Sequence, residues 1–126
     1  MNAKELVSAF WQAMARCDYD TAATLFADDY VCDCPQTREQ IVGRDNFIGL
    51  HKSNPAPGPM QFLLCRLQGD DEKIFTEVAV NDGERLFRML TFHYIADGKI
   101  ARQVEYWPED YPPPDWRREW VDLEPC

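Results

Sequence analysis

Residues 60–107 read MQFLLCRLQGDDEKIFTEVAVNDGERLFRMLTFHYIADGKIARQVEYW. Four apolar-rich runs, MQFLLCRLQ, KIFTEVAVN, ERLFRMLTFHYI and KIARQVEYW, are parted by GDDE, NDG and ADG. Asp/Asn-Gly pairs supply the positive φ that tight hairpins require, so each junction reads as a reversal between neighbouring strands. Four strands joined by three short turns predict an antiparallel meander.

Upstream, the pattern changes. SNPAPGPM, with three prolines, is a loop that no helix or central strand accepts. Before it, Asn2 and Glu5 make a capping-box pair, and Leu6, Phe10 and Met14 recur at helical spacing, with Val7 and Trp11 widening the stripe. Asp18 can cap a short second helix through DTAATLFADD, with Leu25 and Phe26 as core candidates. Tyr30 to Cys34 reads as a strand stopped by Pro35, and a third helix is expected over Arg44 to Lys52. Three helices and one early strand followed by a meander predict an α+β fold, one domain over residues 1–126. Beyond Trp107 runs a proline- and tryptophan-rich tail, residues 108–126. In it Asp115 is placed to cap one helical turn carrying Trp116 and Trp120.

A chain of 126 residues that is 45% hydrophobic and 13% aromatic can bury a real core. Its formal charge of −9, without a Lys/Arg cluster, excludes nucleic acid and anionic membrane as natural partners. A neutral or apolar small molecule is the expected partner. Cys17, Cys32, Cys34, Cys65 and Cys126 are scattered and odd in number. They form neither a disulfide framework nor a Cys-x-x-Cys site, although Cys32 and Cys34 share a strand face. They read as small apolar residues in a reducing cytoplasm. With no signal-like or membrane-spanning apolar run, a cytoplasmic location is expected.

ARCDYDTAATLFADDYVCDCP, GRDNFIGLH and ADGKIARQVEYW carry a family resemblance. In this order, with the meander, they resemble the nuclear transport factor 2 superfamily. It includes ketosteroid isomerases, SnoaL-like polyketide cyclases, limonene epoxide hydrolases and scytalone dehydratase. The E-Y-W-P ending with a later W-R…W is similar to a SnoaL-like bacterial subgroup. The resemblance implies a cone: three N-terminal helices packed on a strongly curved, mostly antiparallel sheet that encloses a pocket. It also implies isomerase, cyclase or dehydratase chemistry on a small apolar or carbonyl-containing ligand, without a cofactor; a homodimer through the outer sheet face is expected. Non-catalytic ligand binding on the same fold is the alternative.

The candidate site follows from alternation and this resemblance. Gln103, Glu105 and Trp107 share one face of the last strand; that face suits a pocket wall, solvent or a dimer partner, and the resemblance turns it toward the cavity. Asp33 resembles a proton-shuttling aspartate before a proline, with Cys34 interposed; its other reading is a solvated or capping group. His51 shares a helical face with Phe47 and Leu50, as a core residue or a catalyst. Arg88 has the parity of Leu90 and Phe92, which the resemblance turns inward, where Glu105 would be its partner. Glu77 is a further inward acid by parity alone. His93, of opposite parity, should point away. The catalytic set expected is thus Asp33, Glu105, His51 and Arg88. The ligand wall expected is Phe10, Trp11, Phe47, Phe62, Leu90, Phe92, Gln103 and Trp107. Phe10 and Leu90 stand where ketosteroid isomerases hold oxyanion donors, which disfavours that particular activity. No local motif supports a metal site from Asp33, His51 and Glu105, and none is expected. Trp116 and Trp120 need an apolar surface: the cavity mouth, a second subunit, or the outer face of their own sheet.

Overall fold

The computed structural model describes residues 1–124; Cys126 lies outside them. The chain runs through α1 (Ala3–Ala15), α2 (Tyr19–Ala23), β1 (Phe26–Cys34), β2 (Glu39–Val42), α3 (Arg44–Lys52), β3 (Gln61–Gly69), β4 (Lys73–Asn81), β5 (Leu86–Ala96) and β6 (Lys99–Tyr106). The strands form one curved, open sheet in the order β2-β1-β6-β5-β4-β3. All neighbours are antiparallel except β1 and β6, which run parallel. The fold is α+β, and the three helices cover the concave face. No helix among the described residues is long and apolar enough to cross a membrane.

Local chemistry sets these elements. The Asn2 carboxamide accepts from Glu5 N at 2.8 Å while the Glu5 carboxylate accepts from Asn2 N at 3.4 Å, closing the capping box of α1. Asp18 accepts from Thr21 N at 3.2 Å and starts α2. Asp97 and Gly98, at φ 52° and 72°, make the two-residue turn between β5 and β6. At Gly69 (φ 151°) a Cβ would lie 2.1 Å from the Lys73 carbonyl, so only glycine fits the β3–β4 turn.

Four local expectations are corrected. The helix expected through DTAATLFADD stops at Ala23, because β6 captures the chain early: Phe26 pairs with Ile100, and Ile100 N donates to Leu25 O at 2.9 Å. The early strand is therefore longer than Tyr30–Cys34. A second early strand, β2, was not anticipated. Asp115 lies inside a 3-10 turn, Asp115–Arg117, that has no side-chain cap; Pro114 holds the cap position.

The core sits between α1 and the concave face. Leu6, Val7, Phe10, Trp11, Ala13 and Met14 of α1 are buried, meeting Phe26, Tyr30, Ile74, Val78 and Ile100 of the sheet. Burying a side chain such as Phe10 stabilises the fold by about 2–3 kcal/mol. Its ring lies 5.6 Å from Phe26 and 6.1 Å from Phe47, so one aromatic residue ties α1 to β1 and α3.

The outer face is different. Phe75, Leu90, Phe92 and Val104 are half-buried there, Leu63 is 67% exposed, and no layer among the described residues covers them. Charged pairs stand among them: Arg88 and Arg66 lie 3.9 and 4.0 Å from Glu77. In the tail, Trp116 and Trp120 are 73% and 75% exposed, so neither the mouth nor the outer face of their own chain covers them.

Candidate functional site

The inner face of β5 and β6 is fixed by register. Thr91 stands opposite Glu105, and His93 opposite Gln103. Odd-numbered residues of β5 therefore share a face with Gln103 and Glu105, and His93, Thr91 and Met89 are buried. This reverses the expected parity of β5. His93 points in; Arg88, Leu90 and Phe92 point out. Arg88, with a side chain 65% exposed, cannot partner Glu105. Glu77 is outward too. The cause is an apolar outer face: β5 carries apolar residues at both parities, so alternation along that strand alone does not tell inside from outside.

Deep in the cone the polar groups form a closed chain. Trp11 Nε1 donates to Thr76 Oγ1 at 3.1 Å, Thr76 Oγ1 meets His93 Nε2 at 2.8 Å, and His93 Nδ1 meets Gln103 Nε2 at 2.8 Å. The Tyr30 hydroxyl donates to the Gln103 carbonyl oxygen. Burial holds the His93 imidazole down to about 3, so it is neutral at physiological pH. Burial likewise pushes the Tyr30 phenol up. This set is structural: α1, β1, β4, β5 and β6 each contribute one member.

Above it opens a cavity of about 800 Å³. Ile41, Met60, Phe62, Phe87, Met89 and Trp107 supply apolar wall, and Cys34, His51 and Glu105 supply chemistry. Arg85, Glu109 and Tyr111 stand at the same cavity, with Arg85 Nη1 2.8 Å from the Glu109 carboxylate.

Glu105 is the distinctive group. Burial pushes its carboxyl up to about 7, against the lowering effect of the Trp107 indole, whose Nε1 donates to Oε2 at 3.0 Å. Near neutrality it is part acid, part base. The His51 ring lies 5.0 Å from Tyr19 and 4.5 Å from Phe47, and burial lowers it to about 4, leaving a neutral imidazole. The sulfurs of Cys32 and Cys34 and a Glu105 oxygen lie within 4.8 Å of one another.

Of the expected set, Glu105, His51, Phe62 and Trp107 line the cavity. Gln103 lies beneath it, locked by Tyr30 and His93. Phe10, Trp11 and Phe47 are buried core beneath the cavity rather than its lining. Asp33 is on the opposite face: its carboxylate accepts from Gln40 Nε2 at 2.8 Å and from Arg102 Nε at 2.9 Å, and these bonds hold it below the usual range. Cys34 occupies the inward position that Asp33 was expected to fill, since one residue of strand exchanges the faces. Sequence reasoning missed Cys34, Met89, Phe87 and Ile41 as wall. The shared parity of Cys32 and Cys34 was the available signal for the first of these.

Residues 7–103 match the model of the SnoaL-like domain. A candidate ketosteroid isomerase from Kribbella flavida is 27% identical, with 98% of this chain and 90% of that chain covered and a TM-score of 0.88. An NTF2-like protein of unknown function from Burkholderia xenovorans is 30% identical, with 96% and 94% covered and a TM-score of 0.80. A candidate polyketide cyclase from Xanthomonas campestris, 21% identical over 82% of this chain and 88% of its own, has a TM-score of 0.71 and shares the fold. A search of curated proteins found no match.

Proposed function

This chain belongs to the SnoaL-like domain family, and from that premise we propose that it is a cofactor-independent enzyme in which Glu105 moves a proton next to a carbonyl group. The observation that carries the reading is a carboxyl titrating at about 7 on the wall of an 800 Å³ cavity. As carboxylate it takes a proton from the carbon beside the carbonyl; as acid it returns one at a neighbouring atom. Isomerisation, aldol-type cyclisation and dehydration share that first step. The isomerase and cyclase names of the Kribbella and Xanthomonas relatives support this class of chemistry. The proton leaves and returns within the site, so the step itself balances without a redox group.

Trp107 holds Oε2, leaving Oε1 for the substrate. His51, as neutral imidazole, carries the N–H available to polarise a carbonyl oxygen. The apolar wall fits a small hydrocarbon body.

The test is deuterium incorporation into a panel of cyclic ketones in heavy water. Glu105→Gln should slow exchange by about 100-fold or more, and the wild-type rate should rise with pH through about 7 as the base form appears. Exchange equal in both proteins removes the proposal. A second reading, ligand carriage without turnover, is favoured by the apolar wall residues Ile41, Met60, Phe62, Phe87 and Met89. Saturable binding of those ketones without exchange would select it.

The assembly proposed is a homodimer through the outer sheet face. The uncovered Phe75, Leu90, Phe92, Val104 and Leu63 support it, because a sheet with one bare apolar face gains from a second layer. Sedimentation at micromolar concentration tests it; a monomer there rules it out. The unpaired Cys17, Cys32, Cys34 and Cys65 support a reducing, cytoplasmic setting.

A further inference from the structure

Cys34 plays no part in the proton transfer above, yet it faces the same cavity. It ends β1, whose parallel pairing with β6 sets Cys32 beside Gln103 and Asp33 beside Val104. Continuing that register brings Cys34 level with Glu105 on the inner face. Cys34 as a residue is 2% exposed, but it lines the cavity, so the cavity is the approach to its thiol. Its sulfur, the Cys32 sulfur and a Glu105 carboxylate oxygen lie within 4.8 Å of one another. The Trp107 indole also holds the carboxylate, donating to its Oε2 at 3.0 Å.

We infer that Cys34 is a nucleophile toward conjugate acceptors, α,β-unsaturated ketones or aldehydes held in the cavity, with Glu105 as its base. The inference rests on the cavity and carboxylate of the preceding reading, and it narrows the carbonyl ligand to one class. The thiol proton passes to the Glu105 carboxylate as the sulfur bonds to the β-carbon of the ligand. The π pair of the C=C bond moves toward the carbonyl, giving an enolate, and the Glu105 carboxyl returns the same proton to the α-carbon. One S–H and one C=C π bond are consumed; one S–C and one C–H bond form. No electrons are gained or lost overall, and reversal of both steps releases the ligand.

Cys32 has a distinct part. Its hydrogen bond with Cys34, its burial and the nearby Glu105 charge push its thiol well above the ordinary value, so it stays protonated. A protonated Cys32 can donate to the Cys34 sulfur and support the charge that grows there. A thiol of this kind is separate in reactivity from Cys65, which lies exposed on β3.

The probe is 2-cyclohexenone, with modified cysteines mapped by mass spectrometry over time. The expected result is an adduct on Cys34 whose rate saturates with probe concentration, ahead of Cys65. Cyclohexanone, which cannot react, should slow labelling of Cys34 and leave Cys65 unchanged. Glu105→Gln should slow Cys34 labelling by about 100-fold, with Cys65 as the internal reference in the same sample. Labelling of Cys65 with none on Cys34 in the wild-type protein overturns the inference, whatever the variants do. So does a Cys34 rate indifferent to Glu105→Gln. The two readings fail apart: ketone exchange without Cys34 labelling removes only the nucleophile, and Cys34 labelling without exchange removes only the proton transfer.

Discussion

Gln103 and Glu105 stand two residues apart on β6 and point to the same side of the sheet, yet the regions around them differ in kind. Around Gln103, the carboxamide has His93 and Tyr30 as partners, and His93 and Thr76 carry the chain on to Trp11. Around Glu105, one indole N–H meets the carboxylate, the Thr91 hydroxyl directly across the strand is buried without a partner, and the Cys32 and Cys34 sulfurs and the cavity make up the rest. A buried network in which each member has partners holds one arrangement. A region with spare polar capacity is set up for something that is not part of the chain. The fold is held at one end of this face and left free to react at the other.

The largest effect should come from breaking the closed end. Gln103→Leu leaves the Tyr30 hydroxyl and His93 Nδ1 without partners, and about 3 kcal/mol of stability should be lost. Urea unfolding followed by circular dichroism measures it. A midpoint unchanged from wild type would mean that the chain of hydrogen bonds holds nothing, and the contrast between the two ends would go with it.

The open end should answer with the opposite sign. Glu105 has a raised folded pKa, so the folded state favours its protonated form. Its stabilising contribution is complete below the ordinary value of 4.5 and is lost as pH rises through about 7. Glu105→Gln should therefore stabilise the protein at pH 8 by about 2 kcal/mol, after discounting for its partly exposed position, and leave stability near pH 4 unchanged. His93 works in the other direction. Its depressed pKa of about 3 gives stability that is present above its ordinary 6.5 and is lost as pH falls from there toward 3. Thermal unfolding from pH 4 to pH 8 should thus show the variant and wild type together near pH 4, diverging between 4.5 and about 7, and a constant distance apart above that.

A smaller change sharpens the same contrast. Thr91→Val keeps the shape and removes a buried hydroxyl with no partner, and the protein should gain about 1 kcal/mol. A loss instead would mean that Thr91 has a partner, with Glu105 the nearest candidate across the strand, and the ketone-exchange rate of the variant would then fall too.

These two regions were unequally legible in the sequence. The meander was readable because its turns are local chemistry: Asp97-Gly98 can be recognised without knowing what surrounds it. The capping box at Asn2 and Glu5 and the span of α3 were readable for the same reason. β2 was not, because EQIV is four residues, mostly exposed, and exists only through pairing with β1. Nor was the early start of β1, which depends on the distant Ile100. Glu105 and Trp107 were found because β6 alternates and the family resemblance says which face is inward. On β5 that help failed. Arg88, Leu90 and Phe92 were placed inside, although a single register, His93 opposite Gln103, decides all of them at once. Register is a property of two strands, and one strand's pattern could not supply it where both faces are apolar.

Asp33 gives the last and smallest prediction, and it separates the two faces of the sheet. Asp33 and Glu105 are both strand carboxylates, but Gln40 and Arg102 lower the one while burial raises the other. Asp33 lies beside Cys34, one residue of pleat from the cavity, so a proton-transfer role would have needed only the other parity. Asp33→Asn removes the charge and keeps the shape. A partly exposed pair with Arg102, whose side chain is 55% exposed, contributes about 0.5–1 kcal/mol, and the variant should lose this above the ordinary carboxylate range, the difference fading as acid protonates the lowered carboxylate. Ketone exchange should continue at the wild-type rate. If it stopped while the fold remained, the inward face would have been assigned to the wrong residue of the VCDCP segment, and Cys34 would surrender its place in the cavity to Asp33.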